Sequence, residues 1–407
     1  MNNQGANAFQ FFPVWEKVNV TVFYLILLIL SITQSVTAKE KIWPRIVQVL
    51  ENNQSGIKGL DNVRALAVSN EQAVLAAVSA DDNALSLFKI DRNFELKHEQ
   101  VIFSKDVNNM LEGAVSLVMP DNAEDIFVSS FYSGSLARFS KSSDGQYQLT
   151  QVFTDHIDAK RIFVDGEKIH KKEDVLGLLG PYDVTSSGVN GRLFTVSFVS
   201  GAVSSWNRRE NGTYQLGQSI EKSRLPQLRG VQAVASDHQS QLVAVSSETD
   251  SVLIFEYSAT ALVFKRMLSA LNQVQIVQPT NAFFLNSSLL LVSTKSRVLL
   301  FEKSKRGEFN FVKDLQNDKK QNLSGITHFA ISPDGKTLVL TSESEHGLHF
   351  FINPYIDEWQ YASSFYPKSE HGQDIIGTSA AVFSDDGVYL AAAHPALDRI
   401  IVYQLRN

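Results

Sequence analysis

Four residues carry side chains suited to holding a polar ligand: Arg64, Tyr182, Asp183 and His328. The planar fork of Arg64 matches a carboxylate or a phosphate, and it equally suits a salt bridge to Asp61 or to a neighbouring repeat. Tyr182 and Asp183 stand side by side and offer a hydroxyl and a carboxylate for orienting a ligand. The imidazole of His328 can polarise a carbonyl or orient a water, or simply hydrogen-bond within the fold. A further group, Glu343, Glu345, His346 and His349, lies in the segment SESEHGLHF. Strand alternation would put Glu343, Glu345 and His349 on one face and His346 on the other, in an exposed loop with a bound cation as the alternative. Asp81 and Asp82 lack the spaced oxygen ligands of a calcium loop, and the Asp-Gly pairs at Asp144, Asp334 and Asp386 are turn chemistry. The expectation is of no metal site and no cofactor.

Composition narrows the chemistry further. None of the 407 residues is Cys, which removes disulfides, thiolate zinc sites, iron–sulfur ligation and a cysteine nucleophile. The 37 Lys and Arg stand against 43 Asp and Glu, a net charge of -6, with no basic block to attract phosphates, so no nucleic-acid partner is expected. Hydrophobic residues at 44% and charged residues at 20% are ordinary globular usage, unlike a disordered, collagen-like or multi-span membrane chain. Near the start, VTVFYLILLIL (Val20 to Leu30) falls short of the roughly 20 apolar residues of a spanning helix. It is followed by SITQSVTA, with small residues at Val36, Thr37 and Ala38, and then by the charged KEK. This predicts a cleaved signal peptide over residues 1–38. A retained anchor is the alternative, because Lys17 is offset by Glu16. Either way the remainder is expected to be exported, to a bacterial periplasm or cell envelope, and to meet the membrane only if the leader is kept.

The candidate residues sit in a repeating frame. A short apolar strand recurs as VRALAVS, AVSLVMP, PYDVTSS, VQAVAS, NAFFLN, ITHFAIS and SAAVFS, so Arg64, Tyr182, Asp183 and His328 all fall near the start of such a strand. A second strand follows (VLAAVS, DIFVSS, LFTVSF, LVAVSS, LLLVST, LVLTSE, YLAAAH), then a third (ALSLFKI, SLARFSK, AVSSWNR, SVLIFEY, RVLLFEK, GLHFFIN, RIIVYQL). Six units add a fourth that opens on an aromatic or aliphatic residue, as in YQLTQVF and YQLGQSI. Four strands at a period of roughly 50 residues predict an all-β, seven-bladed β-propeller. The seventh fourth strand is missing after RIIVYQL, and WPRIVQVLE (Trp43 to Glu51) has its form. The N-terminal strand is therefore expected to complete the last blade and close the ring of a propeller spanning residues 39–407, burying two or three of Ile46, Val47, Val49 and Leu50. One interval is longer by about fifteen residues, at His156 to Gly177, and reads as a solvated connection or a lid over one face.

The repeats lack the Trp-Asp ending of WD blades and the double glycine of kelch blades. Units such as GLDNVRALAVS, LAAVSADDNALSLFKID and DIFVSSFYSGSLARFSKSSDGQYQL resemble the bacterial lactonase-like, YVTN-type seven-bladed propellers across nearly the whole exported part. That resemblance implies the fold more strongly than any activity, because such propellers include lactone hydrolases resembling phosphogluconolactonase, cyclases and members without an assigned reaction. Lactone-hydrolysing relatives tend to carry Pro-His where Pro181 is followed here by Tyr182, and a phenol is a poor general base at neutral pH. A redox role with a quinone would imply a repeated Trp-docking signature that this sequence lacks. The expected function is thus a binding module, non-catalytic or weakly catalytic, that offers a small molecule or an envelope protein the loops around a central funnel. Lactone hydrolysis is the alternative. If the leader is cleaved, mass spectrometry of the exported protein will find the mature chain starting at Lys39; an intact leader would mark it as an anchor.

Overall fold

Residues with small and branched side chains fill the second strand of every repeat, and the reason is visible in the architecture. VLAAVS, DIFVSS and LLLVST are buried at every position because each sheet is covered on both faces by its neighbours. The outermost strands alternate instead, as in LVFKRM, because one face packs inward and the other meets solvent. The computed structural model describes residues 42–120, 123–188, 191–268, 274–315, 323–343, 347–353, 358–366 and 377–405. The expected leader over 1–38, Lys39, Glu345 and His346 lie outside the described residues. Among the described residues no helix is long and apolar enough to cross a membrane.

The chain forms seven four-stranded antiparallel sheets in a ring, a seven-bladed β-propeller. The inner strands of blades one to seven are Val63–Ser69, Ala114–Val118, Pro181–Ser186, Val231–Ser236, Pro279–Phe284, Ile326–Ile331 and Ala380–Phe383. In blade five the strand begins at Pro279, two residues before the expected Asn281. Seven hydrophobic clusters fill the seven interfaces between blades; Val74, Ala76 and Val78 face blade two while Leu75 and Ala77 face blade seven.

Ring closure follows the count of fourth strands. Arg45–Glu51 pairs antiparallel with Arg399–Gln404 and becomes the outer strand of blade seven. A register shift between Ile46 and Gln48 turns Val47 outward, and Ile46, Val47 and Val49 remain 38 to 47% exposed. Only Leu50 of the four aliphatics is buried, so the expected burial of two or three is corrected to one. An outer strand has a neighbour on one edge and cover on one face, so half its side chains point to solvent. Closure rests instead on the backbone ladder, the 2.7 Å Arg399–Glu51 ion pair and Leu50. Deleting residues 39–51 is expected to lower the melting temperature sharply, by the ladder plus about 1.5–3 kcal/mol for Leu50. Deleting Asp158 to Lys172 should lower it far less, and equal losses in the two melting curves would sink this account of closure.

Candidate functional site

The site is built by a repeated irregularity. In blades one to six the register of the inner strand slips just after its first residue, between Val63 and Ala65, Ala114 and Ser116, Pro181 and Asp183, Val231 and Ala233, Pro279 and Asn281, and Ile326 and His328. A bulge re-aims the extra side chain. The extra residues are Arg64, Val115, Tyr182, Gln232, Thr280 and Thr327, and all six line one cavity of about 210 Å³ at the front mouth of the axial channel. Blade seven has no such slip and contributes Ser379. One layer deeper, Ala65, Ser116, Asp183, Asn281 and His328 line both this cavity and a further one of about 400 Å³ that runs on past His238 and Ile331. Arg64, Tyr182, Asp183 and His328 therefore face one cavity, although no hydrogen bond joins any two of them.

Each has its own commitments. Arg64 reaches past blade seven to Glu343 on blade six, at 3.1 Å. The span is open because blade seven presents Gly377, Ser379, Ala380 and Ala381 there; a Cβ on Gly377, whose φ is +75°, would lie 3.2 Å from the Glu343 carbonyl. Asp183 accepts three hydrogen bonds, from Ser116 Oγ at 2.7 Å, from Val184 N at 2.9 Å and from Val234 N at 2.9 Å, so its carboxylate ties blades two, three and four. Burial outweighs these donors and pushes its carboxyl up to about 6. Asn281 is used at both ends, Nδ2 donating to the Thr327 carbonyl at 2.6 Å and Oδ1 accepting from Ala282 N at 2.7 Å. His328 differs, since its buried Nδ1 has no hydrogen-bond partner among the described residues. Burial pulls its imidazole down to about 4, so it is neutral at pH 7.

Of the segment SESEHGLHF, Glu343 and His349 are described and they lie apart. Glu343 is paired with Arg64, while His349 is buried inside blade six with Nδ1 2.7 Å from Ser364 Oγ. Glu343 stands in the turn after Thr337–Ser342, whereas His349 is opposite Leu340 in the sheet, so the expected shared face is corrected. Among the described residues no three His, Asp or Glu side chains are grouped to hold a metal ion.

The long insertion lies beside the front mouth. Its short helix Ala159–Phe163 is capped by Asp158, which accepts from Lys160 N at 2.9 Å, and Arg161 fastens it to Glu167 at 2.7 Å and Glu173 at 3.1 Å. The helix ends on Phe163, whose ring centroid is 5.2 Å from Phe131 and 5.4 Å from Tyr132. Phe131 in turn stands edge-on to Tyr182 at 6.0 Å, and Tyr182 lies 6.4 Å from Phe198. The result is a ledge of rings running outward from the mouth, with Tyr132, Phe163 and Tyr182 still 36 to 53% exposed. Gly180 makes room for it: φ is +59°, and a Cβ would lie 2.9 Å from the Phe131 ring.

No family model matches this chain, and no curated protein matches it. Among solved structures it is similar to the crystal structure of a functionally unknown protein from Desulfotomaculum acetoxidans DSM 771, with a TM-score of 0.54 and 12% identity over 75% of this chain and 87% of that one. The likeness is of fold alone. Ser116, Asn281 and the ring ledge were not singled out from the sequence. The first two could have been found by aligning the repeats on the third residue of the inner strand; the ledge depends on where the insertion folds back.

Asp183 gives this geometry a measurable signature. With its folded value near 6 against an ordinary 3.8, it holds a proton in the fold that the unfolded chain has released. Its contribution to stability is thus fully present below about pH 3.8 and is lost as the pH rises through 6. Melting curves from pH 4 to 7 should show Asp183→Asn losing this component relative to the wild type; parallel pH profiles would show that the carboxyl titrates normally.

Proposed function

We propose that the protein is a non-catalytic binding module that takes a small polar ring compound of monosaccharide size at the front mouth, against the aromatic ledge, after export to the periplasm or cell envelope. Polar side chains from separate blades meet there beside exposed rings, and a small number of placed polar groups with apolar walls is the usual make-up of a ligand site. The observation that carries the non-catalytic reading is the prior commitment of the collar. Asp183 already accepts three hydrogen bonds and Asn281 is used at both ends. Lactone hydrolysis needs a base aimed at a water and donors aimed at a developing oxyanion, and a histidine near 4 is a weak base at neutral pH. The resemblance to lactonase-like propellers supports the choice of a sugar-sized ligand but loses its Pro-His at Pro181-Tyr182.

The test is a panel of aldoses, aldonic acids and sugar lactones, followed by thermal shift for binding and by acid release for turnover. At least one compound should raise the melting temperature, with an effect weakened about tenfold in apparent affinity by Tyr182→Ala or Arg64→Ala. No lactone should turn over faster than it does spontaneously. Turnover abolished by both His328→Ala and Arg64→Ala would replace this reading with a hydrolase, and a panel without any shift would overturn it.

A further inference from the structure

Comparison of two adjacent blades exposes a buried positive charge without its acid. In blade two, Arg138 of the third strand Ser135–Lys141 sends Nη1 to the Gly212 carbonyl, in the outer hairpin of blade three, at 2.9 Å. Its charge is met by Asp125, which accepts from Nε at 2.9 Å and Nη2 at 2.8 Å. Blade three makes the same reach to blade four from a different place. Arg192, just before the second strand Leu193–Ser197, donates to the carbonyls of Ser258 and Ala261 in the outer hairpin of blade four. In register, Arg192 occupies the place of Asp125, and the place of Arg138 is held by Ser205, which takes a bond from Arg192 Nη2 at 3.0 Å. The stitch between blades has been kept and the carboxylate lost.

Arg192 is only 4% exposed, among the described residues every hydrogen-bond partner of its guanidinium is uncharged, and its buried Nε has none. An arginine cannot relieve this by releasing its proton. Removing a charge from water without an opposite charge is costly. Arg192 borders a cavity of about 490 Å³ on the rear rim between blades three and four, also lined by Arg208, Arg209, Tyr257 and Ser258. Arg209 donates to the neutral side-chain oxygen of Gln215, through Nε at 2.7 Å. One acid, Glu210, lines the same cavity.

We infer that this rear cavity is an anion site, in which the phosphate or carboxylate group of a small molecule supplies the negative charge that Asp125 supplies in blade two. It is separate from the front mouth and stands whether or not the mouth binds a sugar-sized ligand. An oxyanion there would meet Arg192 and Arg209 together, with the bidentate geometry that guanidinium groups favour.

The experiment uses the exported chain and three probes at matched ionic strength: inorganic phosphate, malonate and chloride. Phosphate or malonate should raise the melting temperature at millimolar concentration where chloride does not, and whichever is stronger identifies the group. Arg209→Gln, at an exposed position that the fold does not need, should weaken the response about tenfold, and Glu210→Gln should strengthen it by removing the one competing carboxylate. Arg192→Lys should abolish the response; where that variant fails to fold, the two surface variants still decide. Arg306→Gln, in the exposed outer hairpin of blade five, should leave it unchanged. Equal shifts with all three anions, or a phosphate and malonate response that neither Arg209→Gln nor Glu210→Gln alters, would overturn the assignment.

Discussion

Everything in this molecule depends on the pairing of Arg45–Glu51 with Arg399–Gln404. A blade of this protein has two apolar faces and cannot be stable alone, so seven blades need seven interfaces, and the seventh exists only when the two ends of the chain share one sheet. The junction of blades seven and one shows how much converges there. Leu50, Ile57, Leu60 and Phe94 join Ala391, Ile400 and Val402 in one cluster. Near the axis, Ser379 Oγ donates to the Val63 carbonyl at 2.7 Å, and further out Asn62 N donates to the Asp398 carboxylate at 3.1 Å. With no disulfide available, this is how a chain without Cys fixes its ends.

A second set of contacts runs round the perimeter and uses one side chain from each of six blades. Gln48, Gln100, Gln151 and Gln218 each place their amide against the backbone of the first residue in the next outer strand, Leu96, Tyr147, Tyr214 and Leu262, giving one bond and taking another at 2.8 to 3.2 Å. Lys313 makes a single bond of the same kind to the Trp359 carbonyl, and Ser363 to that of Ile42, both at 2.8 Å. An amide is suited to this because it donates and accepts at once and so satisfies both free groups of an edge residue. At about 0.5–1.5 kcal/mol per hydrogen bond the clasps are individually modest. Their value is in register: each fixes the height of one blade relative to the next, and the bulges at the front mouth meet on one cavity only if those heights agree.

The fold was legible because the period is carried by local chemistry. Buried runs such as VLAAVS, alternating runs such as LVFKRM and Asp-Gly turns each report their own surroundings, and counting them located the closing strand before any contact was known. The glutamine clasps were not singled out from the sequence: a Gln does recur four residues after Leu96, Tyr147 and Tyr214, but the spacing does not say what the amide will touch. Contacts that depend on the angle of the ring were not readable. The partners of Asp183 lie 67 residues before it and 51 residues after it, and Arg64 meets Glu343 across the intervening blade. The insertion shows the same limit: AKRIF looks like an exposed polar link until Phe163 finds Phe131 and Tyr132.

The polar layer of the channel serves adhesion between blades before it serves any ligand, and that order explains which groups are left over. Going round the ring, Ser116 bonds to Asp183, Asp183 to Val234 and Asn281 to Thr327, each reaching the following blade. The next reach would run from His328 to blade seven, whose inner strand Ala380–Phe383 is short and begins with alanines. Thr327 Oγ1 makes that reach instead, to the Ser379 carbonyl at 3.3 Å, and His328 Nδ1 has no hydrogen-bond partner among the described residues. The same gap lets Arg64 cross to Glu343. Those two side chains keep 24 and 32% of their surface exposed, so the pair is worth no more than about 1 kcal/mol. A ligand oxygen that took Arg64 from Glu343 would displace a weak contact, whereas one competing for Asp183 would have to replace three hydrogen bonds. On the proposed reading, selectivity at the front mouth should therefore reside in the half of the rim beside blade seven, where Arg64 holds its weak pair with Glu343, and the half around Asp183 should act as its rigid wall.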